Sequence, residues 1–246
     1  MNRSHNVAEA KKCIETAKMY FDNLSVDLIY GTPGLSDSEW IENLNTLLQL
    51  NIPHISCYAL TVEPKTALKK QIENGTTPQV DDEQSAQQYK ILTSKLSEEG
   101  FVNYEFSNFG KPNYYSRNNT NYWSGKKYIG VGPSAHSFDG NKRSWNIANN
   151  SLYIKGIQNK TRHFEEETLS TNDLYNEYMM TGLRTMWGIS LEKVFDKYGD
   201  TYYKHLIKQS KPHLENGNLI LQDQSLKLSP KAKFIGDGIS SDLFYL

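Results

Sequence analysis

The 246-residue sequence predicts an α/β fold followed by a mostly helical module, and three observations carry that expectation. Short apolar runs of strand length alternate with helix-length periodic segments through residue 106. The strand-like runs are nearly continuous in apolar residues, as in sheets covered on a face by helices. From residue 171 the pattern changes to three helices, a two-strand ribbon and a last helix, the order of a winged-helix module.

Residues 7–20 read as an amphipathic helix, with Val7, Ala10, Ile14, Ala17 and Met19 on its stripe. The run from Leu24 to Gly31 is a strand ending in glycine, and Thr32-Pro33-Gly34 is a loop. Ser36 with Glu39 three residues on forms a capping-box signature, and Trp40, Leu44, Leu47 and Leu48 mark the buried face of the helix it opens. A second strand covers Ile52 to Leu60, followed by a polar connector containing Asn74-Gly75 and Pro78. Residues 81–99 form a helix closed by Gly100, and a third strand runs from Phe101 to Phe106. Strands alternating with helices imply a parallel sheet, with ligands at the carboxyl ends of its strands. Periodicity does not separate an open sheet from a partial barrel. Because the chain opens on a helix feeding its first strand, the sheet is expected to be unfinished toward the N-terminus.

Residues 107–170 are irregular and rich in Asn, Tyr, Ser and Gly. Thr171 or Asn172 then caps a helix to Trp187, with Leu174, Tyr178, Met179 and Leu183 inward and Gly188 as its stop. Leu191–Tyr198 and Thr201–Leu214 are helices separated by Gly199. Leu219–Leu221 and Leu226–Leu228 are strands, and residues 230–244 a helix. The domain division expected is 1–110, a connecting region 111–170, and 171–246.

Lys plus Arg is 27 against 28 Asp plus Glu, a net charge of -1. Basic residues gather on no helix, which argues against nucleic acid as a partner of the winged-helix module. No apolar run reaches the length of a membrane span and no signal region opens the chain, so a cytoplasmic protein, at most in peripheral contact with a membrane, is expected. The two cysteines, Cys13 and Cys57, read as free thiols, and no CxxC or CxxxCxxC spacing occurs.

Four features stand out as chemistry. Asp27 places a carboxylate inside an apolar strand, where it either accepts bonds from a ligand or is satisfied by backbone amides. The run Ser116 to Trp123 mixes amides with large aromatics, a surface able to stack on a flat ligand or to pack on the sheet. Gly130-Val131-Gly132-Pro133-Ser134-Ala135-His136-Ser137 is glycine-rich but matches no phosphate loop. His136 is a metal ligand, an acid or base, or a hydrogen-bonded structural histidine.

Taken together, several segments resemble the oxygen-independent coproporphyrinogen III oxidases and the related radical S-adenosylmethionine (SAM) heme chaperones. These are Arg3, Asn23 through Gly34, Tyr104 through Phe109, Asn119 through Trp123, Gly130 through Ser137, and Gly182-Leu183-Arg184-Thr185 near Gly188. The resemblance covers essentially the whole chain, and the runs at 104–109 and 130–137 lean to the heme-chaperone branch. It implies the later strands of a partial, TIM-like radical SAM barrel followed by the helical domain. It also implies that Arg3, Asp27 and Thr61 belong to a SAM site, and that the intact family member uses SAM and a [4Fe–4S] cluster. The cluster cysteines have no counterpart here, so radical catalysis by this chain alone is not expected, and no residue in it is assigned as catalytic or as a metal ligand. The branch's His-Asn-x-x-Tyr heme motif corresponds to Asn118, Asn119 and Tyr122. The histidine is replaced by Asn118, and an amide is a poor ligand for heme iron. The resemblance thus implies weak binding of heme or porphyrin at Asn118, Asn119, Tyr122 and His136, and a heme-acceptor protein as a further partner.

Overall fold

The computed structural model describes residues 6–246. Arg3 lies outside the described residues. The chain divides into two compact units, one ending at Ser116 and the other spanning Arg117–Leu246.

The first unit is built on β1 (Ser25–Tyr30), β2 (His54–Ala59), β3 (Val102–Glu105) and β4 (Asn108–Gly110), in the order β1-β2-β4-β3. β1 and β2 are parallel with Asp27 opposite Ser56. β4 is antiparallel to both β2 and β3, so it is wedged between strands that run in one direction. The expected wholly parallel sheet is therefore a mixed one. A tight connection at Phe106-Ser107 folds β4 back, and Ser107 donates its backbone N–H to Glu105 Oε1 at 2.6 Å.

Two helices cover one face of this sheet. α2 (Asp37–Gln49) opens on the Ser36/Glu39 capping box and buries Trp40, Leu44 and Leu47. The expected Leu48 packs beside them, partly buried. After α3 (Ala67–Glu73), a short helix in the polar connector with no buried residue, α4 (Asp82–Glu98) starts at the cap Asp81 and buries Tyr89, Leu92 and Leu96. These side chains meet Tyr30, Ile55, Cys57, Phe101 and Phe109 in one core. Gly31, where β1 ends, sits at φ +69°, a conformation suited to glycine. A side chain there would collide with Ser85 on α4, and its N–H donates to the buried Gln88 Oε1 at 2.8 Å. α1 (Val7–Lys18) is helical as expected but buries none of its residues, so its apolar stripe is not a core face among the described residues.

The opposite face of the sheet is polar. Strand alternation puts Ser25, Asp27, His54, Ser56 and Asn108 on it. His54 is 2% exposed and held from both ring nitrogens, by Ser25 Oγ at 2.7 Å and Tyr104 Oη at 2.7 Å. Ser56 donates to Asn108 Oδ1 at 2.9 Å, and Asn108 Nδ2 donates to Glu105 Oε1 at 2.7 Å. Buried polar groups without partners are strongly destabilising, and these satisfy one another.

The second unit opens with α5 (Arg117–Trp123), then a three-stranded antiparallel sheet of β5 (His136–Phe138), β6 (Lys142–Asn146) and β7 (Phe164–Thr168), with α6 (Asn150–Gln158) between β6 and β7. The stretch expected to be irregular thus carries four strands and two helices between residues 108 and 168. α7 (Thr171–Leu183) is capped by Ser170 rather than Thr171 or Asn172 and buries Tyr175, Met179 and Leu183, with Leu174 and Tyr178 half-buried. β8 (Ile189–Ser190), α8 (Leu191–Tyr198), α9 (Asp200–Glu215), β9 (Leu219–Gln222) and β10 (Ser225–Leu228) complete the winged-helix pattern, with the sheet order β8-β10-β9. The last segment splits into a 3-10 turn (Pro230–Ile235) and α10 (Gly236–Asp242) rather than one helix. No helix among the described residues is long and apolar enough to cross a membrane.

Candidate functional site

The second unit contains a cleft of about 370 Å³ whose walls come from α5, β5, β6, α7 and α8 and from the loop after α5. This falls in the size range of small-molecule sites. One wall is aromatic. Tyr122 and Tyr128 stack with ring centroids 5.2 Å apart, Trp123 meets Tyr122 edge-on at 5.9 Å, and Phe138 lies 6.1 Å from Tyr128. Tyr178 and Tyr198 stack at 6.3 Å on the α7–α8 side. Burial raises the hydroxyl pKa of both, so both stay protonated at neutral pH.

Three cations line the same cleft. Arg143 on β6 is already paired, with Nη2 2.7 Å from Glu177 Oε1 and Nη1 3.7 Å from Glu167 Oε1. Burial works against its charge, but the Glu177 carboxylate holds it above its ordinary value. Lys193 and Lys197 come from α8. Lys193 Nζ stands 4.2 Å from the centre of the Tyr178 ring, and Lys197 Nζ 5.2 Å from that of Tyr198. Burial first, and then the Lys197 charge, lower the Lys193 pKa.

Of the residues singled out in the sequence, Tyr122 and His136 line this cleft together. Tyr122 is 55% exposed, and His136 is exposed with its ring stacked on Trp145 at 5.8 Å. Asn118, exposed, and Asn119, half-buried, lie on the same short helix as Tyr122, one turn earlier, outside the cleft lining. His136 also lines a second cleft of about 550 Å³ with Trp145, Arg162 and His163. The loop leading to His136 is drawn tight at Gly130. Its N–H donates to Ser137 Oγ at 2.9 Å, its carbonyl accepts from Asn146 Nδ2 at 3.2 Å, and a Cβ there would overlap the His136 carbonyl oxygen. The residues sequence reasoning missed are Arg143, Lys193 and Lys197. The i, i+4 spacing of the two lysines was the available signal, but the partners that turn it into a cleft are far away in sequence.

In the first unit Asp27 is exposed on the polar face of β1, near enough to His54 to pull its pKa upward against burial. Thr61 is exposed just beyond the carboxyl end of β2. The residues present do not fit an iron–sulfur cluster. Cys13 is exposed on α1 while Cys57 is buried on β2, its thiol pushed up by burial, and no three His, Cys, Asp or Glu side chains among the described residues come together to hold a metal.

Comparison with known proteins places this geometry in context. The HemN C-terminal domain family matches residues 169–235. The chain is 31% identical to the heme chaperone HemW of Bacillus subtilis over 97% of its own length and 64% of that protein's. It is 33% identical to the mitochondrial radical S-adenosyl methionine domain-containing protein 1 of Danio rerio over 97% of this chain and 57% of that one. It therefore spans less than two thirds of the length of these relatives. The solved coproporphyrinogen III oxidase HemN of Escherichia coli, a radical SAM enzyme, superposes with a TM-score of 0.78 over 99% of this chain and 60% of that one. At 15% identity that likeness speaks to the fold, which is the α/β radical SAM-like architecture expected from the sequence.

Proposed function

We propose, from the premise that the chain belongs to the HemN/HemW radical SAM family, that it binds heme or a related porphyrin in the cleft of its second unit and serves heme trafficking in the cytoplasm. The observation that carries this reading is the meeting of Tyr122 and His136 in one cleft with two stacked pairs of aromatic rings and basic side chains. A conjugated macrocycle finds flat π surfaces there, and its acidic side chains find cations. Asn118 and Asn119 lie one turn before Tyr122, outside the cleft lining, and as amides they are no strong iron ligand. Hemin titration followed at the Soret band tests this. A saturable one-to-one shift is expected, tighter in Asn118→His, and absence of any saturable shift overturns the reading.

The first unit's part in this function is the SAM side. Asp27 offers an acceptor for ribose hydroxyls or an amino group, Thr61 lies beyond the neighbouring strand end, and Arg3 completes the set by resemblance. In intact family members SAM is paired with a [4Fe–4S] cluster. With two cysteines, these residues do not hold that cluster, and no radical step is assigned to them. This favours a second reading, porphyrin binding and docking to a heme-acceptor protein without catalysis. SAM calorimetry separates the two: binding weaker than micromolar is expected of Asp27 and Thr61 without a cluster beside them.

A further inference from the structure

We propose that Lys193 and Lys197 form a carboxylate-receiving rim, so that the cleft selects a flat conjugated macrocycle carrying two acidic side chains on one edge. The inference rests on the tetrapyrrole reading above and goes beyond it by fixing which edge of the ligand faces which wall.

The contrast with Arg143 is what points to these lysines. Arg143 has its counter-charge within the fold, Glu177 at 2.7 Å. Lys193 and Lys197 line the same cleft, and among the described residues neither stands in an ion pair. Glu192 and Asp196, on the same helix, share a shallow depression with them but lie beyond ion-pair reach. Each ammonium rests instead against a tyrosine ring. Two like charges four residues apart on one helix face repel each other, and burial lowers the Lys193 pKa. An anion on the cleft side relieves both effects. Spacing of one helical turn between the two side chains suits two carboxylates carried on neighbouring positions of one ring edge. The rings of Tyr178 and Tyr198 stand beside the ammonium groups, so charge and π surface are offered together, which a small dianion such as a dicarboxylate would not use. Tyr122 and His136, which line the same cleft from α5 and β5, are then left to the rest of the macrocycle.

The test compares hemin with hemin dimethyl ester, in which both acidic side chains are masked, on the full chain. Wild type is expected to favour hemin by on the order of tenfold. Lys193→Gln/Lys197→Gln should bind hemin about as weakly as wild type binds the ester and lose the preference, while Lys193→Arg/Lys197→Arg should keep it. Both lysines are exposed, so the variants are expected to fold, the glutamine variant no less stably than wild type. Equal affinity of wild type for hemin and ester overturns the rim and leaves tetrapyrrole binding standing. A preference that persists in the glutamine variant overturns the assignment to these lysines. Binding of neither compound overturns the tetrapyrrole reading itself, and the rim with it.

Discussion

The polar face of the first unit and the cleft of the second use similar side chains to opposite ends. In the first, Ser25, His54 and Tyr104 form one hydrogen-bonded chain, and Ser56, Asn108 and Glu105 another. Each donor meets an acceptor inside the fold. In the second, the Tyr178 and Tyr198 hydroxyls are likewise paired, with the Ser190 N–H and the Leu174 carbonyl, but Lys193 and Lys197 line open volume and stand in no ion pair among the described residues. A buried group satisfied by its neighbours stabilises structure, and a group left unsatisfied at a cleft is available to a ligand. The difference separates scaffold from site without reference to any relative.

That contrast can be broken at several points. The largest effect is expected from Leu92→Ala, which empties a fully buried position in the core that supports the polar face. A loss of about 2–5 kcal/mol in urea unfolding is expected. Glu105→Ala removes the acceptor shared by Ser107 N–H and Asn108 Nδ2. It should lower stability by about 1–3 kcal/mol, and a change near zero would mean the network does not support the fold. Ser36→Ala removes the N-cap of α2 and should lower stability by about 1 kcal/mol, seen as a shifted urea midpoint with unchanged slope.

In the second unit the same kind of change should act on binding instead. Tyr122→Ala exposes no core and should leave stability within about 0.5 kcal/mol, while weakening hemin binding by roughly fivefold through lost stacking. Stability loss without binding loss would reverse the distinction drawn between the two regions. The smallest effect is a pH dependence. Burial depresses the His54 pKa below its ordinary 6.5, against the opposing pull of Asp27. The unfolded chain therefore binds a proton that the folded one refuses. Stability should be full above pH 6.5 and decline as pH falls from there toward the depressed value. His54→Gln should flatten that slope in urea melts collected across pH 5 to 8, and a slope left intact would place its origin elsewhere.

The parts of the fold that were legible in the sequence are those where one chemical pattern decides the outcome. Ser36 with Glu39, followed by Trp40, Leu44 and Leu47, states both where α2 begins and which side it buries. Leu191–Tyr198 is recovered to the residue. β4 was invisible because Asn108-Phe109-Gly110 contains two residues disfavoured in strands, and only pairing to β2 and β3 makes them one. α3 was missed because it buries nothing and so shows no stripe. α1 misled in the opposite direction, with a stripe that covers no core. For the site, Tyr122 and His136 stood out by composition and come together. Lys193 and Lys197 gained meaning only once α7 and α8 brought Tyr178 and Tyr198 beneath them.

Gly130 has a consequence for how relatives of this chain should be compared. Its crowding by the His136 carbonyl leaves no room for a methyl group, and its backbone is tied on both sides to Ser137 and Asn146. Every substitution there is a steric defect, so evolutionary drift at this codon should be suppressed even in descendants that have lost the ligand. An alignment column for Gly130 would then look as invariant as a binding residue while reporting only the shape of a turn. On the rim proposal the lysine positions would behave the other way, with changes at Lys193 and Lys197 tracking the ligand.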